Sequence, residues 1–227
     1  MVGKIALVGG DEFLPSCRQM DNELIEATGY VRPKVLIVPT AAAMSRPELA
    51  ARHGVQQFDA LGADASPLMV LTGEDANNDE LTAQVEQAEI VYLSGGNPAH
   101  LLEVLRGSLL LRRLMEGLER GMILAGSSAG AMVMGERMRF RQWGGALGIV
   151  PGIAVLPHHE RASKSQTVRE VAVETPEEIT LIGIDGATGC FREDEGWRVL
   201  GAGSVTLYGL GTWQTYRSGE YFEIEGK

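Results

Sequence analysis

Short apolar runs recur along this chain at 4–8, 34–39, 66–71, 90–94, 122–125, 153–156 and 180–184, and several are apolar throughout instead of alternating. That pattern belongs to strands buried on both faces. Between the earlier runs lie amphipathic stretches with helical periodicity, at 16–28, 47–61, 79–87, 98–106 and 108–120. Strand and helix in regular alternation predict an α/β fold, a three-layer α/β/α sandwich around a mostly parallel sheet. From Trp197 onward the character changes. Segments at 197–199, 204–208 and 221–224, separated by glycines, read as short antiparallel strands at the C-terminal end of the sheet. No repeat, linker or low-complexity segment interrupts the chain, so its 227 residues are expected to form a single α/β domain, 1–227.

In open α/β sheets, function gathers in the loops at the carboxyl ends of the strands. Rich loops follow the apolar runs here: Gly9-Gly10-Asp11-Glu12, Pro39-Thr40-Ala41-Ala42, Ser94-Gly95-Gly96-Asn97-Pro98, and the segment Gly126-Ser127-Ser128-Ala129-Gly130. The Gly-Gly loops do not fit G-x-G-x-x-G and no acidic residue stands in the ribose position, which disfavours a dinucleotide. The two cysteines, Cys17 and Cys190, are far apart and give no metal-ligand spacing. No cofactor and no metal are therefore expected. A formal charge of −10, with no basic stripe, argues against nucleic acid as a partner. No run reaches the roughly 18 to 20 apolar residues of a membrane span, and the N-terminus has no signal-type cleavage site, so a cytoplasmic location without membrane attachment is expected.

The segment ILAGSSAGA at 123–131 fits the G-x-S-x-G pattern of a nucleophile elbow, in which a strand ends at a strained serine and a helix starts directly after it. Side chains at 126 or 130 would meet adjoining backbone, and the helix start leaves unpaired N–H groups for an oxyanion. Ser128 is thus the candidate nucleophile. Gly96, beside the helix start at Pro98, could present one oxyanion N–H, and Ala129 the other. A serine needs a base, and the chain has four histidines. His53 and His100 fall in helical stretches and suit surface or capping roles. His158 and His159 follow the strand-like run 153–156, where one of them can face the serine. The only carboxylate between Ser128 and His158 is Glu136, which disfavours the α/β-hydrolase order, with its acid between serine and histidine. Asp185, after the run 180–184, is the best placed acid, and an ordinary turn aspartate is the competing reading.

Together these residues resemble the peptidase E and cyanophycinase family of serine peptidases, whose fold is similar to class I glutamine amidotransferases. The resemblance rests on VGGDE at 8–12, VPTAA at 38–42, Gly62-Ala63, AEIVYLSGGN at 88–97, AGSSAGA at 125–131, Pro157-His158 and LIGID at 181–185. It implies Ser128 as nucleophile, His158 as its base, and the Gly96 and Ala129 amides as oxyanion donors. Two departures stand out. The family commonly carries glutamate immediately after the position of Asp185, as third triad member, where this chain has Gly186. Loss of an orienting acid can cost roughly 10⁴-fold in turnover, so the chain is read as a slow enzyme, an enzyme with a relocated acid (Asp185, Glu160 or Glu12), or a small-ligand or protein-binding member of the fold. Cyanophycinases, secondly, typically place glutamine and aspartate where this chain has Pro98 and Leu156, which disfavours cyanophycin as substrate.

The resemblance to peptidase E implies hydrolysis of dipeptides with N-terminal aspartate, with a small peptide as the partner. An acidic side chain calls for cations, and Arg137, Arg139, Arg141 and Arg161 are available. Asn97, His159, Arg161 and Arg139 are the expected substrate-binding residues, while Trp143 and the glycine-rich stretch 144–148 form a pocket wall or a plain loop. A homodimer is compatible with all of this.

Overall fold

The computed structural model describes residues 4–174, 179–193, 196–209 and 211–224. Five strands, β1 (Ile5–Val8), β2 (Lys34–Val38), β3 (Asp64–Pro67), β4 (Ile90–Leu93) and β5 (Ile123–Ser127), form a parallel array in the order β1-β5-β4-β2-β3. A hairpin of β6 (Arg137–Phe140) and β7 (Gln142–Gly145) follows, then β8 (Ile153–Leu156) and β9 (Thr180–Ile184). Three later strands, β10 (Thr188–Glu193), β11 (Gly196–Gly201) and β14 (Tyr221–Phe222), extend the large sheet antiparallel beyond β1. Between them in sequence lie β12 (Ser204–Gly209) and β13 (Thr212–Arg217).

The side-chain alternation of β1 explains the layering. Ile5 and Leu7 point into an apolar cluster shared with α4 (Pro98–Leu105), α5 (Leu109–Glu119) and α6 (Ala129–Met134). Ala6 and Val8 point into the opposite cluster, with Met20 and Leu24 of α1 (Arg18–Thr28) and Phe58 of α2 (Pro47–Ala60). Successive residues of a strand face opposite sides, so a strand apolar at every position must be covered twice. The helical pattern at 79–87 divides into a short α3 (Asp79–Thr82) and a 3-10 turn at Ala83–Gln87. The result is a mixed α/β molecule whose large, mostly parallel sheet is flanked by helices.

The apolar runs at 153–156 and 180–184 do not extend that sheet. β8 and β9 pair in parallel with each other and, through β12 and β13, build a second, four-stranded sheet in the order β13-β12-β9-β8. Ile153, Val155, Ile182 and Ile184 pack into the cluster on the α4–α6 side, a burial that an apolar run satisfies equally well in either sheet. Trp143 and the first glycines of the 144–148 stretch, expected as a pocket wall or a plain loop, belong to the second strand of the β6–β7 hairpin. A further helix, α7 (Lys164–Glu174), lies between β8 and β9. Among the described residues no helix is long and apolar enough to cross a membrane.

Candidate active site

The carboxyl ends of β1, β4, β5 and β8 meet at one edge. Ser128 sits between β5 and α6 at φ 48°, ψ −105°, a region that L-residues avoid, at a cost of about 1–3 kcal/mol that the surroundings must offset. The two glycines of the motif are sterically required. A Cβ on Gly126 would lie 2.6 Å from the carbonyl carbon of Gly130, and one on Gly130 would fall on the Leu93 carbonyl oxygen. Close packing of β4, β5 and α6 therefore permits nothing larger.

The end of β1 brings serine and histidine into one frame. The Ser128 amide donates to Val8 O and the His158 amide to Gly9 O, both at 2.9 Å, so consecutive carbonyls anchor the two residues. His158 is itself left-handed, at φ 50° and ψ 42°. Its ring lies flat against Gly10, where a Cβ would fall on His158 Cε1. Gly10 holds φ 137°. The first Gly-Gly loop is therefore a seat for the imidazole: one glycine packs on the backbone of Ile184 and Asp185, the next on the ring. His158 Nδ1 is buried and has no hydrogen-bond partner among the described residues.

The carboxylates nearby are committed elsewhere. Asp185 Oδ2 accepts from the Ser204 amide at 2.9 Å and the Ser204 hydroxyl at 2.8 Å, locking the β9–β12 junction. It holds this turn, and among the described residues no hydrogen bond joins it to His158. Glu160 Oε2 accepts from the Gly186 amide at 2.7 Å, and its Oε1 pairs with Arg161 at 3.0 Å. Burial would raise the Glu160 carboxyl, but the Gly186 amide, Arg161 and His158 together bring it below the ordinary value. Glu12 Oε1 accepts from the Gly95 amide at 2.7 Å, and its Oε2 from Ser127 Oγ at 2.8 Å. Asp11, at φ 59°, is the exception. Its side chain lies over Gly186, where a Cβ would fall on Asp11 Oδ2. The sequence showed Asp11 only as part of a loop; its positive φ aims it here, and no spacing rule announces that.

The oxyanion loop is equally constrained. Gly96 adopts φ 142°, and a Cβ there would fall on Ala41 O. The amides on either side of Gly96 are engaged, Gly95 N by Glu12 and Asn97 N by Ala41 O at 2.7 Å.

The expected substrate-binding residues are mostly drawn elsewhere. Asn97 Oδ1 caps α4, accepting from the amides of Ala99 and His100. His159 is 2% exposed, packs on Gly183 and shares a hydrogen bond with the Tyr208 hydroxyl. Burial holds its pKa below the ordinary histidine value, and a buried core imidazole stands where a substrate contact was expected. Arg139 pairs with Glu170 at 3.2 Å across the β6–α7 contact. Arg161 is well exposed beside Glu160. Surface depressions such as the one between Lys34, Asp64 and Gln87 lie at the amino ends of the strands, away from this chemistry. Among the described residues no group of three or more histidine, cysteine or acidic side chains could hold a metal.

The family model of peptidase family S51 matches residues 5–200. This chain belongs to that family. Its relatives include the cyanophycinase of Trichormus variabilis, 27% identical over 89% of this chain and 72% of that one. The cyanophycinase of Thermosynechococcus vestitus is 29% identical over 90% and 67%. Peptidase E of Escherichia coli O9:H4 is 30% identical over 61% of this chain and 63% of its own. Among solved structures, a peptidase from an acI-B1 Actinobacterium superposes with a TM-score of 0.88 at 31% identity, covering 99% and 98% of the two chains. A putative peptidase E of Listeria monocytogenes, at TM-score 0.66 and 16% identity, shares the fold. The S51 chain is thus a hydrolase of the peptidase class.

Proposed function

We propose that this S51 peptidase is a serine exopeptidase acting on small peptides, with dipeptides bearing N-terminal aspartate as the first class to test. The observation that carries the reading is the strained Ser128, held with His158 on the consecutive carbonyls of Val8 and Gly9. His158 takes the Ser128 hydroxyl proton as Oγ attacks the scissile carbonyl. The Gly96 and Ala129 amides stabilise the oxyanion, and the imidazolium then protonates the leaving amine. Water, deprotonated by the same histidine, hydrolyses the acyl-enzyme.

The carboxylate that orients His158 in this reading is Asp11. It lies next to the glycine on which the ring rests, and it fills the space over Gly186. In this reading Asp11 engages His158 Nδ1 in the Michaelis complex, the ring nitrogen that has no hydrogen-bond partner among the described residues. Arg161, three residues past His158, supplies the cation for an acidic first residue by exchanging Glu160 for the substrate carboxylate.

A serine-directed fluorophosphonate tests the reading. Stoichiometric labelling at Ser128, lost in Ser128→Ala and slowed in His158→Ala, together with cleavage in a dipeptide panel that includes Asp-X and cyanophycin, is the expected outcome. No labelling and no cleavage would sink it.

A further inference from the structure

Glu12 binds both loops that the proposed reaction brings together. Gly95, whose amide donates to Oε1, precedes the oxyanion residue Gly96; Ser127, whose hydroxyl donates to Oε2, precedes Ser128. Ser127 is fully buried. There is no slack at Gly95 either, since a Cβ there would lie 2.7 Å from Glu12 Oε1 and 3.3 Å from Ser128 Cβ. One carboxylate from the end of β1 therefore ties the ends of β4 and β5 at the point where they face each other.

We infer that Glu12 is a positioning residue, which sets the Gly96 N–H against Ser128 Oγ; the inference rests on Ser128 being the nucleophile. The reason is conformational. Two glycines in succession carry little backbone preference, so the peptide between Gly95 and Gly96 needs external restraint to aim its N–H. It has restraint on both flanks, from Glu12 on the Gly95 amide and from Ala41 O on the Asn97 amide. Hydrogen bonds to a carboxylate are roughly twice as strong as neutral ones. The tolerance is narrow, because an oxyanion donor must stand about 2.7–3.1 Å from the developing charge, and a misplacement of about 1 Å can cost on the order of 10²-fold. Serving two donors at once, Glu12 keeps both of its oxygens from His158, which separates its role from that of a triad acid.

Glu12→Ala and Glu12→Gln, read with the fluorophosphonate probe and by amide hydrogen exchange, test this. Glu12→Ala is expected to lower the maximal rate of Ser128 labelling by about 10²- to 10³-fold, to leave the probe's half-saturation within about threefold, and to speed exchange at Gly95. Glu12→Gln recovers most of the rate with an unchanged pH profile. Its carbonyl takes the Gly95 N–H and its NH₂ donates to Ser127 Oγ, whose hydroxyl reverses. A Glu12→Ala variant that loses thermal stability but labels at the native rate overturns the inference. So does a Glu12→Gln variant as slow as Glu12→Ala with a displaced pH profile, which would make the charge itself the active element. Exchange at Gly95 that responds to Glu12→Ala in a protein whose Ser128 never labels would instead overturn the nucleophile reading and leave the clamp standing.

Discussion

The Asp11 carboxylate occupies the space over Gly186, so that any side chain at 186 would have to displace it. The family resemblance implies glutamate at that position. With no acid at 186 and the Asp11 carboxylate over that position, a reciprocal exchange is the sharpest test. Asp11→Asn is expected to lower kcat by between about 10-fold and the roughly 10⁴-fold seen for loss of a triad acid, with little change in stability, because asparagine tolerates a left-handed backbone. Gly186→Glu alone is expected to be impaired by the clash with Asp11. Combined with Asp11→Gly, it regains activity over Asp11→Gly alone. If Asp11→Asn turns over at the native rate, His158 works without this carboxylate and the assignment is wrong.

Gly10 offers a second handle on the histidine. A Cβ there would fall on the His158 ring, at a backbone φ of 137° that suits glycine only. Gly10→Ala is expected to push the imidazole off its seat and cut kcat by at least about 10²-fold, because base and nucleophile lose alignment together. Gly73→Ala, where a Cβ meets nothing within 4 Å, serves as control. Equal activity of the two variants in a steady-state dipeptide assay would show that ring placement does not limit turnover.

Much of this architecture was legible in the sequence for a physical reason: strands covered on both faces must be apolar throughout, as β1 and β4 are, and as β2 is after Lys34 and β5 before Ser127. The glycines at 126 and 130 were equally readable, because only backbone contact explains two of them around one serine. Sheet membership was not. Ile153–Leu156 is as apolar as any strand of the large sheet, and hydrophobicity does not specify which edge a strand pairs with. The β6–β7 hairpin was hidden by its Gly144-Gly145 end, and α7 by its polar opening Lys164-Ser165-Gln166-Thr167. Carboxylate direction was the least readable of all. Asp11, Glu12, Glu160 and Asp185 crowd one sheet edge, yet which of them faces the histidine depends on backbone dihedrals and on which amides claim the others first.

Neither cysteine is set up to react. Burial pushes the Cys17 thiol up to about 12, with Asp21 adding to the effect, and drives Cys190 higher still. Since the thiolate is the reactive form, Ellman's reagent is expected to find essentially no thiol in the native protein and both after unfolding. Iodoacetamide should likewise leave activity intact while the fluorophosphonate abolishes it. Rapid native labelling of Cys17 would mean that the β1–α1 region opens far more readily than its packing implies.

Asp21 of α1 gives a prediction for stability. It is fully buried; Gln57 donates to Oδ2 at 2.9 Å, while Oδ1 has no partner among the described residues. Burial raises its pKa from 3.8 to about 6, with Gln57 opposing and Glu12 assisting. The sign follows from proton uptake. Between about pH 4 and pH 6 the folded state holds this proton more tightly than the unfolded chain, so the contribution of Asp21 to stability falls as pH rises through that window and stays low above it. Two pKa units correspond to about 3 kcal/mol. Asparagine keeps an acceptor for Gln57 and carries no charge to desolvate. Asp21→Asn is therefore expected to be more stable than the native protein at pH 7.5, by up to about 3 kcal/mol less the cost of an unpaired amide, and to lose that advantage at pH 4. Urea midpoints at the two pH values measure it. An advantage that is the same at both would show that Asp21 is not titrating in this window.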